Sequence, residues 1–179
     1  MQHGALVATP FGWVAAAARR GALIAVSFPA DTAEQAAAWL RSAVAPGAEA
    51  PPPVFRSDVR RYLAGEPVDL CHHPVDLSGL PPFARQALLA ARQVPYGQVR
   101  TYAWVAEQAG SAAAARAAGQ AMRSNPVPLV VPCHRIVGAT GRLTGFGGGL
   151  DLKRRLLQLE GVTVVGDRVR AAVDAADRD

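Results

Sequence analysis

Proline and glycine punctuate this chain so often that no long helix can form in it. Fourteen prolines and seventeen glycines fall within 179 residues, and an interior proline removes a helical donor and collides with the preceding turn. The clusters at 51–53, at Pro81-Pro82 and at Pro126, Pro128 and Pro132 therefore act as boundaries. Between them the chain must build short strands and helices, and with half of its positions hydrophobic it has enough apolar material to bury a core rather than stay disordered. No segment supplies the roughly 18 consecutive apolar residues of a membrane-spanning helix. The most apolar early stretch, 4–18, is broken by Pro10 and Gly12, and its charges, Arg19 and Arg20, follow it rather than precede it, the reverse of a secretory signal. The expectation is a cytoplasmic protein whose mature chain starts near Met1, with no membrane association.

Residues 1–78 read as a small α/β domain. Apolar runs at 5–9 and 13–18 flank Pro10-Phe11-Gly12, which suits a hairpin, and 22–28 is a third strand rich in β-branched residues. A helix over 32–44, capped by Asp31 or Thr32, and a second over 55–63 follow, separated by the loop PGAEAPPP. Residues 68–77 read as an edge strand or extended connector. Within it stands Cys71-His72-His73, three metal-ligating types in a row. Adjacent residues of an extended chain point to opposite faces, so one ion reaches only some of them, and only the distant His3 could add a donor. No metal site is expected. Cys71 and Cys133 lie too far apart in sequence for a CxxC zinc pattern, and two cysteines make no disulfide scaffold.

From residue 79 the pattern becomes helical and basic. Residues 1–78 hold 6 basic and 7 acidic side chains, residues 79–160 hold 10 and 3, and residues 161–179 hold 3 and 4. A polyanion-binding surface therefore belongs to the middle segment. Thr101 is set to cap a helix over 102–109 that ends at Gly110, and Ser111 to cap a second over 112–123. Two helices around a glycine turn form a helix-turn-helix candidate. The second is nearly bare: Arg116, Gln120, Met122 and Arg123 are its only long side chains among alanines and Gly119. So slim a rod suits either a B-DNA minor groove of about 6 Å or tight burial.

The chemistry gathers after Asn125-Pro126-Val127-Pro128. There the run Leu129-Val130-Val131 leads into Pro132-Cys133-His134-Arg135, followed by a loop over 138–149. A thiol on stiff backbone with an imidazole beside it has the makings of an activated nucleophile, although a cysteine ending an apolar run is more often simply buried.

With its flanks, this motif closely resembles the O6-alkylguanine-DNA alkyltransferases (methylated-DNA-protein-cysteine methyltransferases). The resemblance rests on Pro132-Cys133-His134-Arg135, Asn125-Pro126-Val127-Pro128, Gly145-Phe146-Gly147-Gly148-Gly149, Lys153 and Glu160, and upstream on Pro95-Tyr96-Gly97, Thr101-Tyr102 and Ala115-Arg116-Ala117-Ala118-Gly119. It is strong over residues 79–162 and weaker before. It implies a ribonuclease H-like α/β domain with a small antiparallel sheet at 1–78, a mainly α, winged-helix-like domain with a helix-turn-helix at 79–164, and a tail at 165–179.

The resemblance also implies the roles. Cys133 would accept the alkyl group from guanine O6, and from thymine O4. His134 would be its base through a water, Glu160 would fix the His134 tautomer, Asn125 would brace the Cys133 turn, and Tyr102 would supply a proton to guanine N3. Arg116 would enter the duplex in place of the extruded nucleotide. Thr101, Ala115, Gly119, Arg123, Pro128, Arg135, Ile136, Phe146, Gly147, Gly148 and Lys153 would form the DNA- and substrate-facing surface. The reaction would consume the protein once and need no cofactor and no metal. The partner would be double-stranded DNA containing O6-alkylguanine, met by a nucleoid-associated monomer or by monomers assembling cooperatively. Phe146 and Gly147 depart from the Tyr and Ser frequent in the family, and nothing corresponds to the cysteine-rich zinc domain of its regulators, so a stand-alone repair protein is expected. The competing readings are a lesion sensor without catalysis and a helix-turn-helix regulator.

Overall fold

A computed structural model describes residues 4–170. His3 and the expected tail from residue 171 onward lie outside the described residues. Contacts divide the chain into two units: Met1–Gly79 with Pro126–Val130, and Leu80–Asn125 with Val131–Asp179.

The first unit is a three-stranded antiparallel sheet, β1 (Ala5–Thr9), β2 (Gly12–Arg19) and β3 (Ala22–Val26), with β2 in the middle. Pro10 and Phe11 make the tight hairpin loop, and Thr9 pairs with Gly12 to close it. The Thr9 hydroxyl donates to the Gly12 carbonyl at 2.6 Å. Residues 14–18 of β2 are buried on both faces, and their alanines let neighbouring elements approach closely. Helix α1 (Ala33–Ala43) is capped by Thr32, one of the two caps the sequence offers, through a complete capping box with Gln35. Its Trp39 and Leu40 pack on Ala17 and Ala25. Helix α2 (Pro53–Leu63) starts two residues earlier than expected because Pro53 takes a first-turn position, where its missing donor costs nothing. It buries Phe55, Val59, Tyr62 and Leu63.

Residues 68–77 depart from the extended reading. Asp69 accepts a hydrogen bond from the Cys71 amide at 3.2 Å and starts a single 3-10 turn, Leu70–His72, after which Val75 bridges in parallel to Leu23. The segment Pro126–Val130 belongs to this unit as well, the Val26 amide donating to the Pro126 carbonyl at 2.9 Å.

The second unit carries α3 (Pro82–Ala91), β4 (Arg100–Thr101), α4 (Tyr102–Gln108), α5 (Ala115–Arg123), β5 (Ile136–Val137), α6 (Leu150–Leu159) and a hairpin of β6 (Val164–Val165) and β7 (Arg168–Val169). The tail expected from 165 thus begins inside this hairpin. Thr101 caps α4 with its side chain on the Trp104 amide at 3.0 Å, as predicted. Helix α5 begins at Ala115 rather than 112, because the Ala114 amide closes a turn onto the Ser111 carbonyl and no side chain caps the helix. Its buried residues are Ala118, Ala121 and Met122, so Arg116, Gln120 and Arg123, spaced four and three apart, face outward. A core of Val99, Val137, Leu143, Leu157, Val162 and Val169 ties strands, α6 and hairpin together. None of the described helices is long and apolar enough to cross a membrane.

Gly12 holds φ at +115°, and a Cβ there would stand 2.3 Å from the Ala30 carbonyl oxygen, the acceptor for the Trp13 amide. Gly12→Ala is expected to destabilise the protein by about 2 kcal/mol or more; a urea midpoint equal to wild type would overturn this account of the hairpin.

Candidate active site

Two short strands assemble the site. Parallel pairing of β4 with β5 sets Arg100 beside Ile136 and Thr101 beside Val137, so the first turn of α4, with Tyr102, starts next to the end of the Cys133 motif. The motif itself is a 3-10 turn, Cys133–Arg135. Asn125 braces it: its side-chain amide donates to the Val131 carbonyl at 2.9 Å and to Cys133 Sγ at 3.3 Å. Prolines at 126, 128 and 132 restrict the backbone in between.

Glu160 arrives from the other direction, as the residue that ends α6. Gly161, at φ +82°, takes the left-handed conformation, its amide bonds the Gln158 carbonyl, and the Val162 amide bonds the Leu157 carbonyl. This is a Schellman closure, and it holds the Glu160 carboxylate in the interior, 5% exposed. His134 Nε2 lies 2.8 Å from Glu160 Oε1, the Arg135 Nε–H donates to Oε2 at 2.9 Å and its Nη2 to Oε1 at 3.0 Å, and the Gly97 amide donates to Oε2 at 3.1 Å. Arg135 also gives Nη1 to the Val94 carbonyl at 2.7 Å.

These contacts set the protonation states. Burial alone pushes the Glu160 pKa up, but His134 and Arg135 outweigh it and hold the carboxyl well below its usual range. Burial lowers the His134 pKa against the pull of Glu160, so the imidazole rests neutral. Burial raises the Cys133 thiol above its ordinary value, with Asn125 and Lys153 pulling the other way. Cys133 at rest is therefore a protonated thiol needing a base. With Nε2 of His134 committed to Glu160, Nδ1 is the ring nitrogen turned away from that carboxylate.

Lys153, one of α6's inward-facing residues, is fully buried. Its ammonium donates to the Ile136 carbonyl at 2.5 Å and the Thr144 carbonyl at 3.2 Å, and it lies 5.8 Å from the Tyr102 ring and 5.7 Å from the Phe146 ring. Burial brings its pKa down to about 8. Tyr102 is raised by burial, opposed by a hydrogen bond with Thr144.

A cleft of about 520 Å³ opens between α5 and the Gly138–Gly145 loop beside Tyr102, and five of the expected residues line it: Tyr102, Ala115, Arg116, Gly119 and Arg123. Gln120, Gly138, Thr144 and Gly145 line it too and were not among the expected site residues. Thr144 had no signal beyond its loop; Gln120 stood among the few long side chains of α5. Phe146 and Gly148 are half-buried and Gly147 is exposed. Pro128 is buried in the segment belonging to the first unit. Thr101 and Ile136 are interior residues. Arg135 is corrected outright: at 1% exposure, with its guanidinium on Glu160 and Val94, it is no part of a DNA-facing surface.

The family described as "6-O-methylguanine DNA methyltransferase, DNA binding domain" matches residues 82–162. In a solved structure of Mycobacterium tuberculosis O6-methylguanine methyltransferase, 34% identical, the match covers 87% of this chain and 90% of that one with a TM-score of 0.67. The chain belongs to the O6-methylguanine-DNA methyltransferase family. A second M. tuberculosis structure, of the protein in complex with DNA, is 30% identical at a TM-score of 0.68, covering 87% of this chain and 91% of that one. A methylated-DNA–protein-cysteine methyltransferase of Mycolicibacterium paratuberculosis is 50% identical over 99 residues, which span 55% of this chain and 59% of that relative's length. The match to the family's DNA-binding domain and the Cys133–Glu160 geometry thus both fall within residues 82–162.

Neutral His134 gives the second unit an acid sensitivity whose sign follows from linkage. Below about pH 6.5 an unfolded histidine takes up a proton that the buried one refuses, so stability falls as pH drops through that range. Unfolding free energy measured by urea at steps from pH 7.5 to 5 should decline, and His134→Gln should flatten the decline; equal slopes in both proteins would remove His134 as the cause.

Proposed function

We propose that this protein reverses O6-alkylation of guanine in duplex DNA by moving the alkyl group onto Cys133 in one irreversible step. The observation that carries the proposal is a buried thiol, bonded by Asn125, next to a neutral histidine whose far nitrogen is fixed at 2.8 Å by a charged glutamate. This is the nucleophile, base and orienter arrangement with sulfur as the nucleophile. The Cys133 proton passes through a water to His134 Nδ1. Sulfur forms a bond to the alkyl carbon as the carbon–O6 bond breaks, and the departing guanine takes its proton at N3 from Tyr102, which is restored by the proton that left the thiol. Lys153, with its charge near the Tyr102 ring, favours the transient phenolate. A thioether has no good leaving group, so each molecule reacts once and needs no cofactor.

The target atom lies inside a base pair, and extrusion costs a few kcal/mol. The outward residues of α5 support a role in that step: Arg116, Gln120 and Arg123 project from a helix otherwise nearly free of side-chain bulk, which suits entry into a narrow groove. Arg116 then occupies the gap left by the flipped nucleotide, and the cleft lined by Tyr102, Gly119 and Thr144 receives the base. Phe146 borders the alkyl group, and the missing hydroxyls at Phe146 and Gly147 tune the choice among alkyl groups. The sheet and helices of the first unit fit a ribonuclease H-like arrangement, and the α4–α5 pair with the β6–β7 hairpin fits a winged helix with a helix-turn-helix. The same pocket accepts O4-alkylthymine, and the protein works as a cytoplasmic, nucleoid-associated monomer.

Two measurements test this. Incubation with a duplex carrying one O6-methylguanine should add one methyl group to the intact mass, mapped to Cys133 and ending at one equivalent, whereas Cys133→Ala should bind the lesion and gain nothing; methyl transfer by that variant would refute the assignment, and lesion binding without transfer by wild type would identify a damage sensor. Arg116→Ala should slow duplex repair by about tenfold or more while reaction with free O6-benzylguanine stays within about twofold, and an equal loss on both substrates would end its role in extrusion.

A further inference from the structure

The first unit holds a side-chain cluster that the transfer reaction does not use. Asp58 on α2 and His72 and His73 after the Leu70–His72 turn bring three donor atoms within 4.8 Å of one another. His73 Nε2 lies 3.0 Å and His72 Nε2 3.4 Å from the same oxygen, Asp58 Oδ2. A tetrahedral zinc ion with donor bonds of about 2.0–2.1 Å separates its donors by about 3.3–3.4 Å, close to both spacings. We propose that Asp58, His72 and His73 form a binding site for a zinc-class divalent cation.

The expectation that neighbouring histidines face apart rested on an extended chain, and the chain here is not extended. His72 ends a 3-10 turn and His73 follows it at φ −68°, ψ 134°, which brings their rings to 4.0 Å between centroids. Both then present Nε2 to one carboxylate. The outer partners suit metal ligation. His72 Nδ1 sits 2.7 Å from the Asp69 carbonyl, which fixes Nδ1 as the protonated nitrogen and leaves the Nε2 lone pair for an ion, as backbone carbonyls behind zinc-bound histidines do. Phe55 packs edge-on against His73 at 5.3 Å and holds its ring. Arg61 reaches Asp58 through the other oxygen, Oδ1, at 3.5 Å, and its charge is shared with Glu66 at 2.7 Å, so Oδ2 is left to the histidines. Asp58 and His73 are buried while His72 is exposed, giving the ion a route from solvent and leaving water for the fourth position. Two imidazoles and a carboxylate favour zinc or cobalt over calcium or magnesium. Once bound, the ion ties α2 to the turn after it.

The test is titration of the full chain with Zn²⁺ in competition with a chromophoric chelator, and with Co²⁺ followed by its visible absorption. One equivalent should bind, without the thiolate-to-cobalt charge-transfer band that a cysteine ligand produces. Exposed His72 can be removed without disturbing the core, so His72→Ala should keep the wild-type circular dichroism and weaken binding by about tenfold or more. Cys71→Ser and Cys133→Ser should bind as wild type does. Absence of saturable binding, unchanged affinity in His72→Ala, or loss of binding with either cysteine would overturn the site.

Discussion

A carboxylate sealed from water must be matched on every side or it will take up a proton, and the second unit is organised around meeting that demand at Glu160. Arg135, His134 and the Gly97 amide all converge on it. They come from the turn after α3 and from the Cys133 turn, while Glu160 itself ends α6. Loss of any one partner exposes the others to the full cost of a buried, unbalanced charge, of order 3–5 kcal/mol. Local backbone choices follow from this. Gly97, at φ +75°, has room only for hydrogen where a Cβ would come within 2.9 Å of the Glu160 carbonyl, and Gly161 turns the helix end so that the carboxylate points inward.

The same charge orders the chemistry beside it. Because burial, helped by Arg135, outweighs the pull of Glu160, the imidazole is oriented without being driven to the charged form, and a neutral imidazole is what a thiol needs if it is to give up a proton. Lys153 supplies positive charge that acts on Cys133 and lies 5.8 Å from the Tyr102 ring. Burial keeps Cys133 and Tyr102 protonated and His134 neutral.

Much of this was legible where one residue type has one physical use. Thr101 and Thr32 capped the helices they were expected to cap, because a hydroxyl just before an apolar-periodic run has few other roles. The hairpin at Pro10-Phe11-Gly12 followed from backbone chemistry, and the Cys133, His134, Glu160 and Asn125 set from a motif too specific to arise from packing alone. Three readings failed for identifiable reasons. The alanines at 112–114 have high helix propensity, yet a Ser111–Ala114 turn takes them, since propensity yields to chain geometry at a helix start. Residues 68–77 lack a strong period, and a single Asp69 side-chain bond was enough to curl them. Arg135 was placed on the DNA-facing surface by the resemblance; its true partner, Glu160, is 25 residues away and carries no local signal.

The depth of Cys133, 3% exposed, has a meaning for durability. Soluble oxidants and small electrophiles attack thiolates, and they attack those that water can reach. Under the proposed single-use transfer, a cysteine lost to peroxide or to a stray alkylator is a molecule lost. By keeping the sulfur protonated and shielded, the fold gives Cys133 a long idle lifetime.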